Sequence, residues 1–243
     1  MDALLTGVTG RPRRPEPLER VGSSYGGFWI PCRFLTQSPK GALVSAGIGF
    51  DVSFDAALQA LGYRAVVLDP LPACVAFAQH ELDPRSTMVV QAGLWSRDGR
   101  LTFYAPRVPE HDSWSAINIQ ETGSEEATEF DVVSLATIFE TNPHLKTAAP
   151  KILKMNVEGA EAEVLSSLKS LPERFDVILV HVESLSQVRL RSPVRFLRQA
   201  ISSAKLLRDL RGQGYRMARS RNLQMVLVLD PNARVPQTLP SGV

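Results

Sequence analysis

Between Ala42 and Asp69 the chain carries residues suited to holding a small charged ligand. A short apolar run, Ala42–Ala46 (ALVSA), ends in Gly47-Ile48-Gly49-Phe50-Asp51-Val52-Ser53-Phe54. Glycines let a backbone turn sharply and come close to a ligand. The helix expected after them offers unpaired N–H groups to an anion. A second apolar run, Arg64–Asp69 (RAVVLD), closes on Asp69, at the offset of about twenty residues where an acid commonly takes the hydroxyls of a ribose. The dinucleotide fingerprint requires a third glycine, G-x-G-x-x-G; Val52 stands in its place, and Asp51 in the turn repels a pyrophosphate. An acid there suits a cationic group. S-adenosylmethionine has one, an ammonium beside a carboxylate that turn amides can hold, with a ribose within reach of Asp69. The residues Gly47, Ile48, Gly49, Asp51, Ser53, Phe54 and Asp69 therefore point to that cofactor rather than to a nicotinamide dinucleotide.

A second group of residues falls at the ends of later apolar runs. Ile152–Val157 contains Asn156 and leads into Glu158-Gly159-Ala160-Glu161. Acids favour a helix N-terminus on electrostatic grounds, and this suffices for Glu161. Glu158, next to the strand end, is placed for the methionine end of the cofactor or for the acceptor. Val177–Val182 brings His181 to its end, a candidate general base for an acceptor hydroxyl, worth roughly 10²–10⁴-fold where well placed. Glu183, two residues on, is a candidate to orient it or to touch the acceptor. Gly93 and Leu94, after the run Thr87–Ala92, offer small surfaces and backbone donors to a flat base. Tyr25 and Gly26, with Gly27, are candidates to close over the cofactor. Trp114 and Ser115, with His111, fall in a polar stretch that suits a loop over the site. The four histidines show no H-x-x-x-H spacing and there are two cysteines, Cys32 and Cys74, so no metal site is expected.

These residues need a frame, and the pattern around them supplies one. Short apolar runs at Ala42–Ala46, Arg64–Asp69, Thr87–Ala92, Ile152–Val157 and Val177–Val182 alternate with helical spacing at Ser53–Leu61, Ala73–Leu82 and Ala160–Leu171. Such alternation argues for a parallel sheet covered on both faces. Sheets of this kind bind ligands beyond the carboxyl ends of their strands, near the point where strand order reverses. Arg100–Tyr104 and Glu129–Val133 are further strand candidates. Tyr215–Arg219 and Met225–Leu229, joined by a short polar link, read as an antiparallel hairpin. Residues 1–20, with three prolines among four arginines, read as a flexible tail, residues 21–230 as one domain, and 231–243 as a second tail.

Composition narrows the class. At 243 residues, 21% charged and 44% hydrophobic, the chain is neither disordered nor a disulfide scaffold. A formal charge of +2 does not fit a polybasic nucleic-acid binder. No apolar run reaches the roughly 18 residues of a membrane span, and the start lacks the apolar core of a secretory signal. A reducing, cytoplasmic location is expected. The arginine-rich segment from Arg189 places Arg191, Arg195, Arg198 and Lys205 on one side of a helix and Ala204, Leu207 and Leu210 on the other, an amphipathic pattern with a solvated basic face.

With these motifs in place, a resemblance emerges. LKMNVEGAEAEVL (Leu153–Leu165) strongly resembles the fourth-strand motif of FkbM-type S-adenosylmethionine-dependent methyltransferases, usually close to LKxDxEGxExxxL. VSAGIGFDVSFDAAL (Val44–Leu58), LDP (Leu68–Pro70) and SSYGGFWIP (Ser23–Pro31) are similar to the cofactor loop, the ribose acid and the segment folding over the cofactor in one branch of that family. The resemblance spans roughly residues 20–230. It implies a Rossmann-like seven-stranded methyltransferase fold, α/β, with a mostly parallel sheet whose sixth and seventh strands form the C-terminal antiparallel hairpin. It also implies methyl transfer, usually to a hydroxyl of a small molecule or sugar. Two departures stand out: Asn156 replaces the usual aspartate, and His181-Val182-Glu183 inverts the order of a Glu-x-His pair. Asparagine bonds a cofactor or substrate amine without charge, so metal-independent transfer to a small-molecule acceptor is the expectation. The competing readings are a non-catalytic cofactor-binding module, an RNA methyltransferase using the basic C-terminal helix, and a nicotinamide oxidoreductase.

Overall fold

The computed structural model describes residues 16–106, 113–117, 127–182, 204–221 and 224–232. Glu183, His111, Arg191, Arg195 and Arg198, singled out from sequence, lie outside them.

Seven strands form the central sheet: β3 (Ala42–Ala46), β4 (Arg64–Asp69), β5 (Thr87–Gln91), β9 (Lys151–Met155), β10 (Val177–His181), β11 (Tyr215–Arg221) and β12 (Gln224–Leu229). Their spatial order is β11-β12-β10-β9-β3-β4-β5. From β10 to β5 all neighbours are parallel, whereas β12 runs antiparallel to both β10 and β11. This is the Rossmann-like α/β sheet expected, with the terminal hairpin inserting its last strand next to β10. The hairpin link is shorter than the polar stretch read from sequence, because Ser220, Arg221 and Gln224 belong to the strands.

The strands of the sheet centre are buried on both faces, so their residues feed two cores alternately. Val44, Leu153 and Val180 face one side, with Ile138 and Phe139 of α3 (Leu135–Thr141), Val164 and Leu165 of α4 (Glu161–Ser167), and Leu207 and Leu210 from the helical residues 204–212. Leu43, Ile152 and Leu179 face the other, against Phe54 and Leu58 of α1 (Ser53–Ala60) and Ala78 of α2 (Pro72–Glu81). In residues 204–212 the expected amphipathy holds: Leu207 and Leu210 are buried and Lys205 is exposed.

Two features differ from the sequence reading. Leu18–Val21 is a strand, β1, paired antiparallel with β2 (Phe28–Pro31), so the ordered chain reaches into the stretch read as tail. The hairpin's Phe28 and Ile30 are buried in the second core, and that burial fixes a segment whose own prolines and arginines argue against order. The second difference is a small sheet of order β6-β8-β7, built from Gly93–Trp95, Ala127–Ser134 and Gly99–Tyr104. Gly93 and Leu94, expected after the third apolar run, belong to this further strand. A Cβ at Gly93 would stand 2.8 Å from the Phe103 ring, which is why a glycine is needed where the two sheets meet. Cys32 and Cys74 are not joined in a disulfide.

Candidate functional site

Strand order reverses between β3 and β9, and there the cleft opens. The turn after β3 and the loop after β9 pack backbone to backbone. A Cβ on Gly47, which has φ of 70°, would lie 1.8 Å from the Asn156 carbonyl oxygen. Gly47 N–H donates to Leu68 O (3.0 Å) and Asn156 N–H to Ala46 O (2.9 Å). The switch point is thus built from backbone pairs that only a glycine permits.

Asp69, at the end of β4, is 5% exposed. Its Oδ2 accepts from the N–H groups of Ile48 and Gly49 (3.1 Å each), and its Oδ1 from Leu71 N–H (3.0 Å). Burial pushes this carboxyl's pKa up, opposed by those three hydrogen bonds and by Lys154. A carboxylate offers about four acceptor positions; with three taken, one is left for a ligand hydroxyl.

The cleft is lined by most of the residues expected from sequence: Tyr25, Gly26, Gly47, Ile48, Gly49, Asp51, Asp69, Gly93, Leu94, Asn156, Glu158 and His181. Ser53 and Phe54 do not line it. Phe54 is fully buried and meets Phe28 edge-on, with centroids 5.8 Å apart; its apolar ring is held in the core under the turn. Ser53 braces the backbone instead: its Oγ accepts from Ser23 N–H (2.7 Å) and its N–H donates to Asp51 Oδ1 (2.9 Å). Asp51 lines the cleft but has partners already. Its Oδ2 accepts from Ser23 Oγ–H and from Gly26 N–H (2.9 Å). The acid chosen from sequence for a cationic ligand also clasps the strap formed by residues 22–27. The Arg20 guanidinium donates to the carbonyls of Ser23, Ser24 and Gly27, and Gln224 Nε2 to that of Gly27 (3.0 Å), so the strap is tied at both ends.

Asn156 presents a buried Oδ1 without a hydrogen-bond partner. An orphaned acceptor of this kind costs roughly 1–3 kcal/mol. Glu158 sits in the left-handed region, with φ of 46°, which strains a residue carrying a Cβ. Its backbone is held there by Ser115, whose Oγ–H donates to Glu158 O. Glu161 is buried and its Oε1 accepts from Gly159 N–H (3.0 Å), the structural part expected for it. His181 ends β10 opposite Gln224. Trp114 enters from the far side and packs edge-on to Phe130 (5.9 Å), which does the same to Phe103 (5.5 Å).

Of the cleft residues not singled out from sequence, one is charged and buried. Lys154, in the middle of β9, is 2% exposed and its Nζ donates to Gly47 O (2.8 Å). The signal was a lone lysine inside the apolar run ILKM, where a parallel central strand has no solvent face to offer it. Among the described residues no three His, Cys, Asp or Glu side chains gather as metal ligands would, and no helix is long and apolar enough to cross a membrane.

The methyltransferase FkbM domain model matches residues 41–217, from the first strand of the sheet into its terminal hairpin. Among solved structures, the chain is similar to the methyltransferase FkbM from Methylobacillus flagellatus KT, at 14% identity and a TM-score of 0.46. That match covers 86% of this chain and 48% of the other, so the chain spans about half the length of that protein. The fibrillarin pre-rRNA processing protein of Methanococcus jannaschii aligns at 7% identity and a TM-score of 0.41, covering 94% of this chain and 74% of its own. A search of curated proteins gave no match.

Proposed function

Because the chain belongs to the FkbM methyltransferase family, we propose that it transfers a methyl group from S-adenosylmethionine to a hydroxyl of a small molecule or sugar. The observation that carries the cofactor part is Asn156, which lines the cleft at the switch point and whose buried Oδ1 has no hydrogen-bond partner. It lies beside a turn that only glycine fits and near an acid with one acceptor position to spare. When bound, the cofactor supplies an electrophilic methyl on a sulfonium.

The chain's own residues divide the remaining work. Asp69 takes a ribose hydroxyl with its free lone pair. The three amides of the turn at Gly47–Gly49 donate to Leu68 and Asp69, rather than standing free for a carboxylate as expected from sequence. The turn packs against the amino-acid end, Asn156 accepts from its ammonium, and Glu158 acts there or on the acceptor. Gly93 and Leu94 floor the base. Tyr25 and Gly26, on the tied strap, close the cleft to water, and in-line displacement gains most from such alignment and exclusion. His181 takes the acceptor's proton. Nothing in this scheme requires a metal, since the group at the fourth-strand position is a neutral amide; the assay should be indifferent to EDTA.

Calorimetry with S-adenosylmethionine and S-adenosylhomocysteine, followed by single-turnover transfer of labelled methyl to hydroxylated acceptors, tests the reading. Binding of both and transfer to oxygen are expected. His181→Ala should slow transfer by roughly 10²–10⁴-fold with cofactor affinity nearly unchanged, because a base acts during transfer. No binding to the wild type, or tighter binding of a nicotinamide dinucleotide, would sink the proposal; an unaffected His181→Ala would leave transfer to alignment alone.

A further inference from the structure

The cofactor turn stands on a buried charge. In β9, Lys154 pairs in register with Ser45 of β3 on one side and Leu179 of β10 on the other. It lies under α1, whose Asp55 is 1% exposed. Neither carboxylate oxygen of Asp55 has a hydrogen-bond partner, nor does the Ser45 hydroxyl. That hydroxyl is near enough to favour ionised Asp55 without reaching hydrogen-bonding geometry. The ammonium of Lys154 lies 5.4 Å from the Phe28 ring centre and makes one described hydrogen bond, to the carbonyl of Gly47. Three carboxyls, Asp55, Asp69 and Asp51, act on this one cation.

Such an arrangement is poorly explained by stability. Taking two charges out of water is costly, and apolar residues of the same size often serve a fold equally well or better. What an apolar side chain lacks is a donor for the Gly47 carbonyl. The same turn presents the amides of Ile48 and Gly49 to Asp69. Gripped by an ammonium on its carbonyl and a carboxylate on its amides, the turn is set from both sides.

We propose that Lys154 is the positioning residue of the cofactor turn, through its hydrogen bond to the Gly47 carbonyl, with the buried Asp55 of α1 as a counter-charge beyond ion-pair distance. The assignment rests on the cofactor reading for its purpose, not for its test. Lys154 acts through the backbone of Gly47 rather than on the reacting atoms. Burial favours the neutral amine of Lys154 and the neutral acid of Asp55; each opposes that tendency in the other.

Amide hydrogen exchange tests this in the full chain without any ligand. The quantity read is the protection of Ile48 and Gly49 relative to Val44, an interior amide of the same strand-turn segment. Lys154→Met/Asp55→Leu removes both charges and should keep wild-type thermal stability. It should nevertheless speed exchange at Ile48 and Gly49 at least tenfold relative to Val44, and Lys154→Arg should lose less of that protection. In parallel, calorimetry should show the double variant binding S-adenosylhomocysteine at least tenfold more weakly. If the double variant does not fold, Asp55→Asn is read by the same ratio, with the same selective loss expected. An unchanged ratio overturns the proposal, since a merely structural pair would alter Ile48, Gly49 and Val44 together. Absence of S-adenosylhomocysteine binding in the wild type overturns the cofactor reading instead and leaves the exchange result to judge Lys154.

Discussion

Gly47 is the position with least freedom to change. Alanine there must adopt a left-handed φ of 70° and put its Cβ 1.8 Å from a backbone oxygen of the neighbouring strand's loop. The conformation alone costs about 1–2 kcal/mol, and the clash moves the turn itself, because the obstacle is backbone. Gly47→Ala should lower stability by more than about 2 kcal/mol and abolish cofactor binding, seen by thermal unfolding and calorimetry; wild-type affinity in that variant would remove the turn from the site. Gly47, Asp69, Asn156 and His181 were readable because each sits at a strand end, and strand ends are where such sheets bind. Lys154 escaped because a single strand says nothing of what lies above it, and Asp55 because an acid in a first helical turn passes as an ordinary electrostatic preference. The left-handed backbone at Glu158 has no signature in its residue type at all.

Between residue and fold stands the strap. The turn 22–27 is held at the edge of the cleft because β1 and β2 are anchored in the second core and because Asp51 clasps it. Arg219 adds an outer brace, its guanidinium carbon 3.9 Å over the Trp29 ring. Burial raises the Asp51 carboxyl, but hydrogen bonds from Ser23, Ser53 and Gly26 outweigh it and bring the pKa from 3.8 down to about 2. The sign follows from linkage. The unfolded chain takes up this proton first as pH falls, so the clasp's stabilisation is fully present well above 3.8 and is lost as pH falls through about 2. Asp51→Asn should cost about 1.5 kcal/mol at neutral pH, the low end for hydrogen bonds to a charged group because the site is half open to water. The gap to wild type in denaturant melts should then shrink steadily as pH is lowered from about 5 to about 2. A gap independent of pH would mean that the asparagine amide clasps the strap as well as the carboxylate does. Sequence showed Tyr25 and Gly26 but not their support: Leu18–Val21 has no strand periodicity of its own, and its order comes from pairing with β2.

The sheet as a unit explains why the site belongs to the folded state and to nothing smaller. Gly47 follows β3, Asp69 ends β4, Asn156 follows β9 and His181 ends β10, four strands from widely separated parts of the chain. That these runs share one parallel sheet was legible from their alternation with helical patterns, and the seven-stranded arrangement was what the family resemblance implied. Two strands of the small sheet were candidates in the sequence, Arg100–Tyr104 and Glu129–Val133, but β6 and the pairing of the three, where Gly93 meets Phe103, were not. A ligand held by residues so dispersed has no affinity for the unfolded chain, so its binding adds to stability in full. At a hundred times its dissociation constant, S-adenosylhomocysteine should contribute about 2.7 kcal/mol. For a chain of this size that is a rise in Tm of roughly 5–10 °C. Asn156→Ala removes the orphaned acceptor and with it one contact to the ligand, while sparing the free protein a buried unsatisfied oxygen. It should therefore melt at or above the wild-type temperature without ligand and gain less from it. Thermal scans of both proteins with and without the ligand give the two differences. Equal gains would place the cofactor's donor elsewhere, and a lower ligand-free Tm for the variant would mean that Asn156 already has its partner in the folded chain.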